Sequence, residues 1–341
     1  MLESEINEFI TRIVGMRQSF PIFMEESARS ASNARKELID KIQTLPDGQD
    51  KDGNKIKVPT PEHHFALNRL HRNHDATSKA EELLPGIMLM GVVSQFDVFY
   101  AHLVRHVLSI KPNKIYESQK DFKAVEIIKF TSIEEFKENL IEKYVDGVLR
   151  DSHHEQIKWV ESALNIKLQQ DEDLIREFIE ITERRNLFVH CDGMINQQYL
   201  AVCNRQGINT ENLMVGSKLI VDKEYFDRAC DLLIEISFKL HQVIWRNITQ
   251  NADSESANNT ANNIIFNLIV SRNYKLAKIL GIFWKNHCSK NSSHDHRLMG
   301  TLNLAQCYKW LDETEEMNNI LQEFSWRGII IRVRTAFLSI C

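Results

Sequence analysis

Residues 171–193, DEDLIREFIEITERRNLFVHCDG, carry the pattern from which the rest of the chain is read. At about 100° per residue, Leu174, Ile175, Phe178, Ile181 and Val189 fall on one helical stripe, so this is an amphipathic helix closed by a polar turn. Arg185 projects into the middle of that stripe, and Asn186 and His190, four apart, share its flank. A charge on a core-facing stripe is costly unless it is paired or meets an anionic ligand. Arg185 is therefore either a helix-end cation, reaching water or pairing with Glu180 or Glu183, or part of a site.

The surrounding chain extends the helical reading. Of 341 residues, 43% are hydrophobic and 26% charged, the balance of an ordinary globular protein with room for a sizeable core. Twelve Gly and six Pro, scattered among long periodic runs, are too few for the frequent turns of a β-sandwich or barrel, so the fold class is all-α. A net charge of -5 disfavours nonspecific coating of nucleic acid, which needs a basic surface, but leaves room for a local basic pocket. The six cysteines lack C-x-x-C spacing and read as reduced cytosolic thiols. MLESEINEFI lacks the basic flank and apolar block of a signal peptide, and the apolar run 83–104 contains Gln95, Asp97 and His102. The expectation is a cytoplasmic protein with no membrane span.

In chain order, residues 2–45 read as two helices or one bent at Pro21, and 46–62 as a mobile loop. A helix beginning near Pro61 is expected to break at Pro85 before a central core helix, followed by helices over 132–150 and 154–166. Beyond Gly193, residues 199–202 and 218–221 read as a short β-hairpin or extended arms, and 223–248 as a long amphipathic helix. The polar run 247–263 marks a boundary, and helical hairpins follow, in which LNLAQCYKWLDETEEMNNIL resembles a degenerate tetratricopeptide repeat. The expected organisation is an N-terminal helical extension (1–82), a central bundle (83–248), a polar linker (249–263) and a helical-hairpin domain (264–341).

Arg185-Asn186-x-x-x-His190 is an R-x-x-x-x-H motif with a polar residue directly after the arginine. The same spacing at Arg69/His74 lies in a segment with no clear apolar stripe, so placement singles out Arg185. In its context the motif resembles the HEPN superfamily of α-helical ribonucleases and related proteins. ERRNLFVH, then DGMINQQYL, then VGSKLIVDKEYF and the helix through Ile248 are similar to that family's arginine-histidine helix end, turn with a short extended stretch, and closing helix. The likeness covers residues 83–248, about half of the chain.

The resemblance implies a homodimeric endoribonuclease, metal-independent and without cofactor, of a kind that often serves in phage defence or toxin-antitoxin systems. The residue types suit that chemistry. Metal-free RNA cleavage needs a base for the ribose 2′-OH, an acid for the leaving 5′-oxygen and a cation for the phosphorane charge. His190 suits proton transfer, Arg185 the phosphate, and Asn186 the orientation of either. Arg184 and Asp192, flanking the motif, are further substrate-binding candidates. On an ideal helix Arg185 and His190 point about 140° apart, so their convergence needs a frayed helix end or a partner subunit. Some HEPN toxins carry a tyrosine two residues after the histidine that a partner enzyme modifies; Asp192 stands there, so that control is not implied. The competing reading is a non-catalytic adaptor that dimerises through the bundle and binds a protein through its C-terminal hairpins. The pairs His71/His74 and His102/His106, and the group His287, Cys288, His294 and His296, read as packing or surface residues rather than metal ligands.

Overall fold

Two sequence-local devices show how the helices begin. In T131-S-I-E-E135 the Ser132 hydroxyl accepts from the Glu135 N–H at 3.0 Å, while the Glu135 carboxylate accepts from the Thr131 N–H at 2.7 Å. Ser152 accepts from the Glu155 N–H in the same way at 3.4 Å. Such caps, reciprocal at Ser132 and one-way at Ser152, satisfy donors that a first helical turn leaves orphaned. They start the helices at Ile133 and His153, close to the expected positions.

The computed structural model describes residues 2–112, 127–165, 171–250 and 252–323. Trp326, Cys341 and the remainder of the last hairpin expected within 264–341 lie outside the described residues. Among the described residues the architecture is all-α, with one small hairpin. The elements are α1 (Leu2–Gln43), β1 (Asp47–Gln49), β2 (Lys55–Lys57), α2 (Pro61–Ile110), α3 (Ile133–Arg150), α4 (His153–Leu164), α5 (Glu172–Cys191), α6 (Gln197–Arg205), α7 (Lys223–Ile248), α8 (Ser254–Val270), α9 (Tyr274–His287), α10 (His294–Trp310) and α11 (Thr314–Glu323).

Several expectations are corrected. Pro85 lies inside one continuous helix rather than at a break, and Pro21 likewise lies within a single helix, one of the two arrangements expected for residues 2–45. A proline removes one i→i−4 bond, and in helices this long the buried turns on both sides hold the run together. The expected loop at 46–62 contains the antiparallel pair β1–β2, Gly48 opposite Ile56, and Asp50 accepts from the Asn54 N–H at 2.8 Å to close its turn. The polar run 247–263 enters α8 at Ser254, with Ala257, Asn258, Thr260, Ala261 and Asn262 buried. Part of its polar surface is paired inside the helix packing: the Asn262 Nδ2 donates to the Asn258 carbonyl at 3.1 Å, and the Asn258 Oδ1 accepts from Arg246 at 2.7 Å and from Trp284 at 3.1 Å.

The chain forms two compact units, each discontinuous in sequence, and their limits differ from the serial boundaries expected at 82/83 and 248/249. The first comprises residues 1–11, 95–179 and 231–341, the second residues 12–94 and 180–230. In the first, Phe9 stacks on Phe99 at 4.8 Å, Phe96 meets Phe178 edge-on at 4.8 Å, and the Tyr100 hydroxyl donates to the Gln156 carbonyl at 2.6 Å. In the second, Phe20 stacks on Phe226 at 4.2 Å beside the Arg17–Asp227 ion pair. Helix α2 is long and apolar enough to cross a membrane, and 56% of its most apolar window is buried within the protein, as in a core helix.

In the first unit α8–α9 and α10–α11 are two hairpins offset by 40 residues. Both turns place a residue at positive φ, Arg272 at 61° and Asp312 at 60°. Both close with the same pair of bonds, Asn273 N–H to Leu268 O at 2.9 Å and Glu313 N–H to Tyr308 O at 2.9 Å. Tyr274 of one hairpin stacks on Trp310 of the next at 5.7 Å. The repeat-like character expected around residues 302–321 is thus a pair of structurally equivalent hairpins.

A buried histidine makes this unit pH-sensitive. His241 is fully buried, its Nε2 lies 3.0 Å from the Leu2 carbonyl and so carries the proton, and its Nδ1 is buried without a hydrogen bond. Burial lowers its pKa from the ordinary 6.5 to about 4, against the favourable influence of Leu2 and Glu5. The folded state then binds fewer protons than the unfolded chain, so this contribution is complete above pH 6.5 and is lost as pH falls from 6.5 towards 4. It amounts to about 3 kcal/mol at the acid limit. Urea unfolding of the wild type should show a steeper loss between pH 7 and pH 5 than that of His241→Phe; parallel curves would contradict this origin.

Candidate functional site

The arginine-histidine segment lies at the C-terminal end of α5 in the second unit. The helix is regular through Cys191, and Asp192 (φ 51°) and Gly193 (φ 76°) then turn the chain in left-handed geometry. The Gly193 N–H reaches back to the Leu187 carbonyl at 3.1 Å, and the Gly193 carbonyl accepts from Leu219 at 2.9 Å. Against Gly193 packs Phe188; a Cβ on Gly193 would lie 2.6 Å from its Cε1, and one on Gly86 of α2 would overlap the same ring. Gly193→Ala combines that clash with a strained φ. It should cost roughly 1–3 kcal/mol in thermal or chemical unfolding, and a neutral result would show that Phe188 is free to move.

Leu174, Ile175, Phe178, Ile179, Ile181 and Leu187 are buried along α5, but Val189 is 47% exposed. The apolar stripe therefore ends one turn earlier than its periodicity suggests, because the helix end emerges from the core. Arg185 is half-buried, with Nε inside the protein, and its Nη1 donates to the Asn186 Oδ1 at 3.1 Å. His190 is exposed. Because the helix does not fray before Cys191, Arg185 and His190 keep their separation of about 140° around it.

Arg184 has a different surrounding. Its Nε donates to Glu180 Oε1 at 2.7 Å, its Nη1 to the Ile220 carbonyl at 3.1 Å, and its Cζ sits 3.8 Å above the Tyr225 ring. Glu180 also accepts from the Tyr199 hydroxyl (2.8 Å) and the Tyr225 hydroxyl (2.8 Å). Burial opposes the charge on Arg184, but Tyr225 and Glu180 outweigh it and raise its pKa above the ordinary range. Burial, together with the Glu180 carboxylate, raises both phenols, so they stay protonated donors. This four-residue network ties α5 to α6 and to the start of α7 and engages the Arg184 Nε, while its Nη1 bonds to the Ile220 carbonyl. The pairing of an arginine with Glu180 belongs to Arg184, not to Arg185.

Asp192 is exposed and faces Lys218 at 3.3 Å and Lys79 at 3.6 Å, while Glu82 holds Lys218 at 2.6 Å and Lys79 at 2.9 Å. Hydrogen bonds from the two lysines pull Glu82 down to about 2. The expected extended stretch at 199–202 is instead helix α6. Asn196 caps it by accepting from the Tyr199 N–H at 2.8 Å, and Tyr199 and Cys203, one turn apart, bury against Leu187, Ile195 and Leu219. The stretch 218–221 is extended and makes a single antiparallel bridge, Lys218 to Met194.

Among the described residues no three His, Cys, Asp or Glu side chains converge as a metal set. His106 faces Glu5 at 3.0 Å, and His296 faces Asn259 at 2.8 Å. Sequence reading missed the Asp97–His153 hydrogen bond of 2.8 Å in the first unit and the two tyrosines on Glu180. Only the i, i+4 spacing of Glu180 and Arg184 signals part of this in advance.

Comparison of the chain with family models, curated proteins and solved structures finds no match.

Proposed function

We propose that this chain is a metal-independent endoribonuclease that acts as a homodimer. In it His190 transfers the proton, Arg185 stabilises the phosphate charge and Asn186 orients the guanidinium. The observation that carries this reading is the end of α5: a half-buried guanidinium bonded to an amide, and an exposed histidine one turn on, on a helix too regular for the two to meet within one chain. A second copy supplies the missing half. The surface beside His190 suits that role, since Val189, Met194, Met214, Val215 and Ile220 are 39–75% exposed along backbone segments that hydrogen-bond to one another; exposed apolar patches mark association sites. The likeness to HEPN proteins points to phage defence or a toxin-antitoxin system in the cytoplasm, with a regulatory protein on the C-terminal hairpins.

Incubation of the pure protein with mixed RNA in chelator tests the proposal. Cleavage leaving 2′,3′-cyclic phosphate ends is the expected result. Inert RNA together with a stable dimer favours the second reading, a helical adaptor, for which the paired hairpins and the 56% exposed Trp310 speak.

A further inference from the structure

We propose that the C-terminal hairpins hold a binding site for a small aromatic acid, one ring bearing a carboxylate or phosphate. It stands apart from the ribonuclease reading and rests on other residues. Between α9, α10 and α11 lies a cavity of about 170 Å³ with Trp284, Leu304 and Ile320 in its wall. An apolar protein cavity of about 150 Å³ accommodates benzene, so the volume fits a single ring. The wall is built to keep this shape. Trp284 is 2% exposed, its Nε1 donates to the Asn258 Oδ1 at 3.1 Å, and a Cβ on Gly300 would overlap the indole.

The polar part of the lining favours an anion. Arg297 is half-buried and donates through Nη1 to the Ser292 carbonyl, and among the described residues it makes no ion pair with a carboxylate. Lys285 lines the cavity too, and its bond to Glu323 (2.9 Å) is an exposed pair of the kind that contributes little and yields to a competitor. Two cations thus stand against one carboxylate. The guanidinium fork matches a carboxylate or phosphate with two parallel bonds, and the Thr301 hydroxyl adds a hydrogen-bonding group in the wall. A ring therefore occupies the cavity while its anionic group meets Arg297 and Lys285.

Titration of the full chain with phenylacetate and with phenyl phosphate, followed by calorimetry and by thermal unfolding, tests this. Saturable binding that raises Tm is expected from at least one, and the better of the two identifies the anionic group. Arg297→Gln should weaken it roughly tenfold or more, the loss of a charge-assisted hydrogen bond. Thr301→Leu, which fills the cavity without removing a charge, should abolish it; far-UV circular dichroism establishes that both variants fold. Failure of both acids to bind, equal binding by benzyl alcohol, or binding unchanged in Thr301→Leu would overturn the proposal. None of these outcomes depends on whether RNA is cleaved.

Discussion

Arg185→Ala and His190→Ala should each lower RNA cleavage roughly 10²- to 10⁴-fold, the usual contribution of a positioned acid-base or charge-stabilising group. His190 is exposed and alanine is the best helix former, so His190→Ala should leave the melting temperature nearly unchanged. The geometry of α5 makes a sharper experiment available. If the working site joins Arg185 of one copy to His190 of the other, mixing the two inactive variants creates heterodimers in which one of two clefts is whole. Activity should return on mixing and subunit exchange. A pair acting within one chain would leave the mixture inactive, and cleavage undiminished in both single variants would sink the ribonuclease proposal altogether.

Glu180→Ala should be the most damaging single substitution for stability in the second unit, at about 3–5 kcal/mol. Its side chain and that of Arg184 are each only 15% exposed, so solvent screens the charge left behind weakly. Removing the carboxylate strands the Arg184 guanidinium and deprives two hydroxyls, those of Tyr199 and Tyr225, of their acceptor. Urea unfolding measures the loss. The double variant Glu180→Leu/Arg184→Leu should recover much of it, because replacing both ions removes the unpaired charge as well as the pair. Equal losses in the single and double variants would mean that the network acts through packing rather than charge.

The all-α architecture was legible at the level of single segments. Helices over 133–150, 153–164, 172–191 and 223–248 follow from apolar periodicity, which is set within a few turns of chain, and the first two also begin at Ser-x-x-Glu caps. Two of the misreadings share one cause. Tyr199 and Val202 have strand-forming side chains, yet Asn196 and the burial of Tyr199 and Cys203 make residues 197–205 helical. Residues 254–263 have the composition of a linker, yet neighbouring helices bury their amides. In both, what burial contributes exceeds local propensity.

The candidate site divides in the same way. The sequence by itself determined that an arginine and a histidine stand five residues apart near the end of an amphipathic helix, because both positions follow from chain order and helical pitch. Only the tertiary structure decided what joins Glu180 and Arg184: two tyrosines from α6 and α7, 15 and 41 residues beyond Arg184, complete that network, while Arg185 bonds to Asn186. The physical reason is that helical pitch places Glu180 one turn from Arg184, whereas the groups that complete the surroundings of a buried charge come from whichever elements folding brings within about 3 Å.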